Sequence, residues 1–255
     1  MSARWTERLL PVAAAAVAIA AWAALAARLP AVLLPSPPEV AAAAFDHRAS
    51  LAQATLQTGL ASLGGLGVAL AFGVTGAVLF HRSRALELAL QPYALLLQTL
   101  PVVAIAPLLL VWLGYGTPVA VASAAIVSFF PLLTATHMGL QAAEPAQVEL
   151  MRLYGASWTQ ELLKLRAPAA LPWFFGGLRT AAGLSVIGAI VGEFVGSNGA
   201  PPSLGYLVLR SARAADTGQT FAAIACSALL ALSFYAITRA LQRRFTARWH
   251  AGGSP

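Results

Sequence analysis

The amino-acid sequence predicts an all-α, polytopic membrane protein with six transmembrane helices. Of its 255 residues, 59% are hydrophobic and 10% are charged, and its mean hydropathy is +0.74. Several apolar runs approach the roughly 20 residues that a helix needs to cross the hydrocarbon core. Lipid offers the backbone no hydrogen-bond partner, and the runs lack the alternating polarity of barrel strands, so we expect them to be helices.

The distribution of charges and reactive side chains argues against several other classes of protein. The net charge of +7 could indicate nucleic-acid binding, but the arginines cluster between and after the apolar runs. That pattern is typical of a membrane surface, so we predict contact with a lipid bilayer and no nucleic acid. The single cysteine, Cys226, cannot form an intrachain disulfide. The four histidines lack metal-ligand spacing, so no metal site is predicted.

The N-terminal region, residues 1–54, is predicted to hold the first transmembrane helix and a linker. An Ala-rich apolar run covers residues 9–29. A signal peptide is the alternative, but this run exceeds the usual apolar length of about 7–15 residues, which favours a retained helix. Residues 30–38 (PAVLLPSPP) indicate an extended linker, and residues 39–50 a short surface helix.

The remaining five spans are expected in residues 55–245, followed by a C-terminal tail, residues 246–255. The second span, residues 56–80, carries small residues at every fourth position: Ala61, Gly65, Ala69, Gly73 and Ala77. The fifth span, residues 173–195, repeats glycine at Gly188, Gly192 and, just beyond it, Gly196. Such rows permit close approach of a second helix, although abundant alanine is another explanation for the first row. The predicted packing positions are Gly65, Gly73, Gly188 and Gly192.

The third predicted span, residues 92–113, contains kink-forming and polar residues. Pro101 and Pro107 should kink the helix and free carbonyl groups that need partners. Gln98 and Thr99 would prefer a protein interior or a wet cavity to lipid. A tight turn at residues 114–117 leads into the fourth span, residues 118–138.

The segments around the last two spans carry the remaining polar signals. Glu193 lies near the far end of the fifth span, and a continuous helix would set it about 21 Å from Arg179. The two residues should therefore not pair. Residues 197–220 are rich in Gly and Pro and then mildly amphipathic, which indicates a re-entrant or surface piece. The sixth span covers residues 221–241.

Lysine and arginine are divided unequally between the two sides of the predicted membrane. Six spans place both termini on one side, which then carries twelve of the sixteen basic residues. The other four are Arg28, Arg48, Arg210 and Arg213. This asymmetry predicts that both termini and the polar loop 141–172 are cytoplasmic.

The loop 141–172 is predicted to form two helices around a glycine turn. Pro145 suits a first helical turn, and Gly155 supplies a stop. Ser157 with Gln160 fits a capping box that starts a second helix, which we expect Pro168 to break. Such a rigid amphipathic piece could pack against its own helix ends or serve as a contact for a partner.

The spacing of Glu149, Gly155 and Pro168 resembles the EAA loop of the inner-membrane permeases of ABC importers. That family's loop reads Glu-Ala-Ala, three residues, Gly, nine residues, Ile-x-Leu-Pro. The matching residues here are Glu149-Leu150-Met151, Gly155 and Leu165-Arg166-Ala167-Pro168. Two alanines and one leucine differ, but the spacing is kept, and the loop lies between the fourth and fifth of six spans, as in the family.

Further stretches resemble the nitrate/sulfonate/taurine-type branch of that family. They are LPSPPEV, LQTLPVVAIAPLLLVWLGYG, FFPLLTAT and GAIVGEFVGSN. The GEFVG segment in particular is similar to permeases for pyrimidine precursors or riboflavin. The family's Gly-Leu-Gly-Tyr is Ser203-Leu204-Gly205-Tyr206 here, and an insertion, Ala200-Pro201-Pro202, precedes it.

The resemblance implies the type I fold of an ABC importer permease in a bacterial inner membrane. It also implies two ABC ATPase subunits, a second permease copy in a homodimer, and an extracytoplasmic solute-binding protein. The sequence has no GxxxxGK[ST] phosphate loop, so we expect ATP and Mg on the ATPase and no cofactor on this chain. The solute would be small and hydrophilic, like a sulfonate, nitrate or taurine, with a pyrimidine precursor or riboflavin as the alternative.

The resemblance further implies that the helix containing residues 149–154 docks in a groove on the ATPase, with Gly155 permitting the bend. The implied coupling residues are Glu149, Arg152, Tyr154, Gly155, Ala156, Ser157 and Pro168. ATP-driven closure of the ATPase would move this loop and switch access of a central cavity from outside to inside.

Four polar residues are candidates for the translocation path: Gln98, Thr99, Glu193 and Asn198. Glu193 could instead be a solvated helix end, and Gln98 and Thr99 could simply bridge helices. An intramembrane enzyme is disfavoured because HExxH, GxSxG and paired carboxylates within one span are absent, so no catalytic residue is predicted. A channel or scaffold would not need a loop suited to a partner.

Overall fold

The computed structural model describes residues 3–198 and 201–246, and this part of the chain is helical, without a strand. The helices are α1 (Ala3–Ala26), α2 (Pro37–Asp46), α3 (Arg48–Arg82), α4 (Arg84–Thr99), α5 (Val102–Leu113), α6 (Thr117–Gln141), α7 (Pro145–Leu153), α8 (Trp158–Glu161), α9 (Ala167–Gly196), α10 (Leu204–Arg213) and α11 (Thr217–Thr246), with a π-helical segment at Leu162–Arg166. Residues 247–255 of the expected tail, and Ala200 of the insertion, lie outside the described residues.

Helix α6 lies at the centre of the bundle, packed between α3 on one side and α9 on the other. A Cβ atom at Gly65 of α3 would lie 2.7 Å from the Val121 carbonyl oxygen of α6. A Cβ atom at Gly188 of α9 would lie 2.8 Å from the Cα atom of Ala124. Both distances are shorter than ordinary van der Waals contact, so the two glycines let the helix backbones approach closely.

The other two glycines of the predicted packing positions also face α6. A Cβ atom added at Gly73 would lie 3.0 Å from the Cβ atom of Leu132. A Cβ atom added at Gly192 would lie 2.7 Å from the Cα atom of Ala120. The same kind of contact continues at Gly177 of α9, whose added Cβ atom would lie 2.8 Å from the Pro131 carbonyl oxygen. The contact surface therefore extends further along α9 than the four-residue glycine row indicates.

Within the described residues, four helices are long and apolar enough to cross a membrane: α3, α6, α11 and the continuous helix Trp158–Gly196. The pair α4 and α5 gives a fifth span if it is counted as one broken span. The apolar part of α1, Val12–Ala26, is shorter than these. The count of six spans therefore stays a prediction.

The third span is two helices rather than the single kinked helix that the sequence predicts. Helices α4 and α5 are bent by 100°. The break falls at Leu100 and Pro101, where Leu100 has extended backbone angles (φ −71°, ψ 124°). Pro101 disfavours a helical conformation at the residue before it, which explains why the helix ends there. Pro92 and Pro107 lie inside helices.

Several helices are longer than the apolar runs that predict them. Helix α3 begins at Arg48 rather than at residue 56, so the expected surface helix at residues 39–50 is divided between α2 and α3. The fifth and sixth spans also lengthen, to residues 167–196 and 217–246. Polar residues at the ends of a span can continue the helix outside lipid, where hydropathy no longer marks it.

Pro168 does not break the second helix of the loop 141–172, contrary to the prediction. The helix continues from α8 through the π-helical segment into α9, where Pro168 lies in the first turn. The Ala167 N–H donates to the Leu162 carbonyl, an i to i+5 hydrogen bond. This wider turn accommodates a proline ring that would clash with the carbonyl four residues earlier in a regular α-helix.

Helices α2 and α10 form a small apolar core with α3 and α11. Its buried residues are Val40, Leu51, Ala54, Leu204, Leu207, Ala222 and Ala223.

Helix α2 begins with a capping box, in which the Ser36 N–H donates to the Glu39 carboxylate at 2.7 Å. This backbone hydrogen bond lowers the pKa of the Glu39 carboxyl. Trp22 of α1 stacks on Phe221 of α11 with ring centroids 6.2 Å apart.

Candidate functional site

Helix α7 and the turn after it follow the local signals in the sequence. Pro145 lies in the first turn of α7, and Tyr154 ends the helix. Gly155 has a φ of +72°, a conformation that favours glycine. The Ala156 N–H donates to the Met151 carbonyl and the Gly155 N–H to the Arg152 carbonyl, both at 3.0 Å. These two hydrogen bonds form a Schellman motif, which fixes the direction in which the chain leaves α7.

The second helix of the loop begins with the expected capping box. The Gln160 N–H donates to the Ser157 hydroxyl at 3.3 Å, and the Ser157 N–H donates to the Gln160 side chain at 2.9 Å. The predicted α7–turn–α8 geometry is therefore present. It sets α7 at the end of the bundle where α6 ends and α8 begins, which we call the α7 end.

Apolar side chains on α7 and at its C-terminus are exposed. The exposed fraction is 53% for Leu150, 79% for Leu153 and 84% for Tyr154. Val148 is the one α7 residue that is buried, so α7 contacts the bundle through one side only. Contiguous exposed apolar residues on an extramembrane helix are typical of a contact surface for another protein. We call Leu150, Leu153 and Tyr154 the α7 patch.

The other predicted coupling residues lie around the α7 patch, with one exception. Glu149, Arg152 and Ser157 are exposed and Ala156 is half-buried. Pro168 is also half-buried, but it lies in α9 beyond the π-helical segment and so belongs to the membrane-spanning helix.

An ion-pair cluster around the buried Glu161 joins α7, α8 and the end of α6, and the sequence does not predict it. Glu161 accepts a hydrogen bond from the Arg166 Nε–H at 2.6 Å and lies 3.5 Å from the Nε atom of Arg152. Arg166 also donates through Nη1 to the Leu140 carbonyl at 3.0 Å. Residues 161 and 166 are five apart, which is not a pairing distance in an α-helix. The π-helical segment between them makes the pair possible, and hydrophobic periodicity does not reveal such a segment.

A second polar cluster lies one helical turn before Leu140 in α6. The Nε2 atom of His137 is 3.2 Å from Glu87 Oε1 on α4, and Arg84 pairs with the same carboxylate at 2.8 Å. His137 and Glu87 are both buried. The pair joins α6 to α4. The scattered positions of the four histidines in the sequence gave no sign of it.

Glu193 lies at the opposite end of the bundle, beside the N-terminus of α10, which we call the α10 end. Its carboxylate is buried and accepts hydrogen bonds from the Thr58 hydroxyl at 3.0 Å and the Gly205 N–H at 2.9 Å. The Thr58 hydroxyl in turn accepts from the Leu204 N–H at 3.0 Å. Thr58 and Glu193 thus hold two N–H groups of the first turn of α10, which otherwise lack partners within that helix.

A small polar cavity of about 30 Å³ adjoins Glu193 and is also lined by Asn198. Gln57, Thr117 and Ser203 are among its other lining residues. Glu193 and Asn198 therefore come together, as two of the four predicted path residues. Arg179 lies elsewhere, bonded to Gln242 and 5.3 Å from the ring of Tyr235, so it does not pair with Glu193.

Gln98 lies in a different and larger cavity, between α4, α6 and α9. This cavity has a volume of about 600 Å³. Thr134, Thr180 and Trp173 also line it, and none of its described lining residues is charged. Thr99 is exposed, and its hydroxyl donates to the Leu96 carbonyl at 2.9 Å. Two of the four path candidates thus lie at the α10 end and Gln98 lines this cavity, whereas Thr99 lines neither.

Within residues 3–198 and 201–246, no group of three or more His, Cys, Asp and Glu side chains could hold a metal ion. The polar clusters of the described chain are ion pairs and hydrogen-bonded caps that join helices.

Comparisons with known proteins agree with this architecture. Residues 65–247 match the family described as the inner membrane component of binding-protein-dependent transport systems. The chain is also similar to a crystal structure of an amino acid ABC transporter with histidines. That likeness has a TM-score of 0.63 at 17% identity and covers 78% of this chain and 96% of the other.

Three curated relatives cover most of the chain. A riboflavin transport system permease protein of Chloroflexus aurantiacus is 37% identical over 87% of this chain and 82% of its own length. A formylaminopyrimidine transport permease protein of Halalkalibacterium halodurans is 34% identical, over 82% and 83%. A putative aliphatic sulfonates transport permease protein of Bacillus subtilis is 28% identical, over 71% and 63%.

The family match spans more than half of the chain, and two of these relatives exceed 30% identity over most of it. The apolar helices agree with a protein that crosses the membrane several times. The chain belongs to the inner-membrane components of binding-protein-dependent transport systems, the permease subunits of ABC importers.

Proposed function

We propose that this permease moves a small hydrophilic solute into the cytoplasm by alternating access, driven by ATP hydrolysis on a separate ABC ATPase. The observation that carries this proposal is the α7 patch. Leu153 and Tyr154 are 79% and 84% exposed on a rigid, capped helix outside the candidate spans. An apolar surface of this kind is stabilised by burial against another protein. We assign the ABC ATPase as that protein and a groove on its surface as the place where α7 binds.

The proposed assembly contains two permease copies, two ATPase subunits and an extracytoplasmic solute-binding protein. The absence of a GxxxxGK[ST] phosphate loop from the sequence supports ATP and Mg binding on the ATPase. In this assembly both termini and the α7 end face the cytoplasm, and the α10 end faces the binding protein. The supporting observation is the excess of Lys and Arg on the α7 side.

We propose that the solute path runs through the larger cavity, which Gln98 lines. Glu193 and Asn198 would lie at the outer mouth of this path. Thr99 is the weakest of the four candidates, since its hydroxyl already bonds to its own helix. Glu193 would act by holding α10 in place at the mouth, because its carboxylate is buried in hydrogen bonds to Thr58 and Gly205.

A planar heteroaromatic solute, such as a pyrimidine precursor or riboflavin, is the substrate class that we favour. The relatives named for riboflavin and formylaminopyrimidine are 37% and 34% identical to this chain, against 28% for the sulfonate relative. The larger cavity presents Trp173 and uncharged polar groups, and no charged residue is among its described lining. A sulfonate, nitrate or taurine is the second candidate, and its anionic group would be expected to need a cationic partner.

Uptake into proteoliposomes that contain the permease, its ATPase and its binding protein tests the proposal. We expect uptake of riboflavin or of formylaminopyrimidine only when ATP and Mg are present on the ATPase side. Taurine is the comparison solute, and we expect lower uptake of it. Solute flux at the same rate without ATP would contradict the importer and support a channel.

A further inference from the structure

Glu161 is shared by two arginines that differ in how firmly they are held. Arg166, with its side chain 12% exposed, donates to Glu161 at 2.6 Å, and this bond is mostly shielded from solvent. Arg152 is 68% exposed, and its Nε atom lies 3.5 Å from the second carboxylate oxygen. An exposed pair at that distance contributes little to stability, about 0–1 kcal/mol. The bond to Arg166 is therefore expected to persist, while the contact with Arg152 can form and break.

The geometry of this cluster depends on the π-helical segment. In an α-helix, residues five apart point about 140° away from each other, at about 100° per residue. The i to i+5 hydrogen bonding of Leu162–Arg166 brings Glu161 and Arg166 to the same side of the helix. Arg166 then reaches the Leu140 carbonyl, in the last turn of α6. The cluster thus forms a continuous path from α7, through Arg152 and Glu161, to the end of α6.

The end of α6 is joined to α4 as well. His137, one turn before Leu140, lies 3.2 Å from Glu87. Helix α4 is the first half of the pair that is bent by 100° at Leu100 and Pro101. A displacement at the α6 end would therefore reach α4, whose Gln98 lines the larger cavity.

We propose that Glu161 is a positioning residue that passes the movement of α7 to the end of α6 and on to α4. The contact between Arg152 and Glu161 is the part of this path that changes when α7 moves. The inference rests on the proposed docking of the ATPase on α7. It adds the residues through which that docking reaches the solute cavity.

Hydrogen–deuterium exchange on the permease–ATPase complex tests this without a known solute. Exchange would be compared between the nucleotide-free complex and the complex trapped by ATP and vanadate. The comparison would be made in the wild type, in Arg152→Gln and in Glu161→Gln. In the wild type, trapping should change exchange both in α7 and in residues 84–99. In both variants the change in α7 should remain, while the change in residues 84–99 should fall at least about fivefold.

Two further variants serve as controls. Lys164→Gln removes an exposed charge from the same π-helical segment and should behave as the wild type. Arg152→Lys retains the charge and should restore the response of residues 84–99. Arg152→Gln keeps the test valid if Glu161→Gln fails to fold, because Arg152 is mostly exposed.

The other outcomes show which proposal fails, the transmission through Glu161 or the docking of the ATPase on α7. An unchanged response of residues 84–99 in both variants would overturn the role of Glu161, as would its absence from the wild type. Loss of the complex in Arg152→Gln would also overturn it, because the cluster would then serve docking and not transmission. If α7 shows no protection by the ATPase in the wild type, the proposed docking fails.

Discussion

At the scale of single residues, the contact of α6 with its two neighbours depends on positions without a side chain. Gly65 of α3 and Gly188 of α9 both pack against α6 at Ala124. Helix association in lipid depends on van der Waals packing together with interhelical hydrogen bonds, because burial of apolar side chains gives little there. A single methyl group at such a position should therefore separate two helices.

Gly188→Ala should destabilise the protein. The new Cβ atom would lie 2.8 Å from the Ser123 carbonyl oxygen and from the Cα atom of Ala124, and backbone atoms cannot move aside. Overpacking of this kind costs about 1–3 kcal/mol, which thermal unfolding in detergent would detect as a lower Tm.

Gly183→Ala is the matched control on the same helix. A Cβ atom there would meet nothing within 4 Å, so its Tm should be equal or higher. Equal Tm values for the two variants would show that α9 does not depend on close approach to α6.

Apart from Glu161 and Arg166, the residues that the sequence did not pair are those that meet across helices. Glu193 stood out as a carboxylate in an apolar run, but its partners Thr58 and Gly205 come from α3 and α10. A pattern along one helix carries no information about which neighbouring helix supplies a donor. The same reason explains why His137 and Glu87 were not predicted as a pair.

At the scale of elements, α7 and its turn are the best predicted part of the chain. Their signals are local: a proline in the first turn, a glycine after the end, and a capping box from Ser157 to Gln160. The continuation through Pro168 was not predictable in the same way. It depends on a π-helical turn, whose hydrogen bonds leave no mark in hydrophobic periodicity.

Replacement of Gly155 should act through the backbone and not through crowding. Its φ is +72°, and a Cβ atom there would meet nothing within 4 Å. Gly155→Val should therefore destabilise the turn and weaken binding of the ATPase, whereas Gly155→Asn should retain most of it, because asparagine tolerates this conformation. Co-purification of the ATPase measures both.

Equal loss of the ATPase in the two Gly155 variants would contradict this explanation. It would indicate that the glycine is needed because the ATPase backbone approaches it closely. Retention in both would show that the direction of the chain after α7 is not important for assembly.

At the scale of the whole molecule, the orientation in the membrane can be tested through the single cysteine. A Cys226→Ala background leaves no thiol. We expect a membrane-impermeant thiol reagent, added to intact spheroplasts, to label Arg213→Cys, which is exposed at the C-terminal end of α10. Tyr154→Cys should be labelled only after the membrane is permeabilised. The reverse pattern would mean that the excess of basic residues misidentifies the cytoplasmic side.

The overall class, the apolar spans and the family were predictable because they follow from hydropathy and from the spacing of the loop 141–172. The arrangement of the spans was less predictable. The 100° bend between α4 and α5 exceeds the kinks that the prolines indicate, and hydropathy alone cannot say whether two bent helices form one span. The solute is a property of the cavity and of a partner protein, and no local pattern defines it.

The central claim is that the α7 patch binds the ATPase, and a co-purification measurement tests it most directly. The double variant Leu153→Asp/Tyr154→Asp replaces two apolar side chains that are 79% and 84% exposed, so the permease itself should fold as before. Phe45→Asp, which replaces an apolar side chain on α2 that is 67% exposed, is the control.

We expect the double variant to bind the ATPase at least about thirtyfold more weakly, since an interface hot spot costs about 2 kcal/mol or more. Its Tm in detergent should equal that of the wild type, and Phe45→Asp should keep full binding. Full ATPase binding and full ATP-driven uptake in the double variant would contradict the claim.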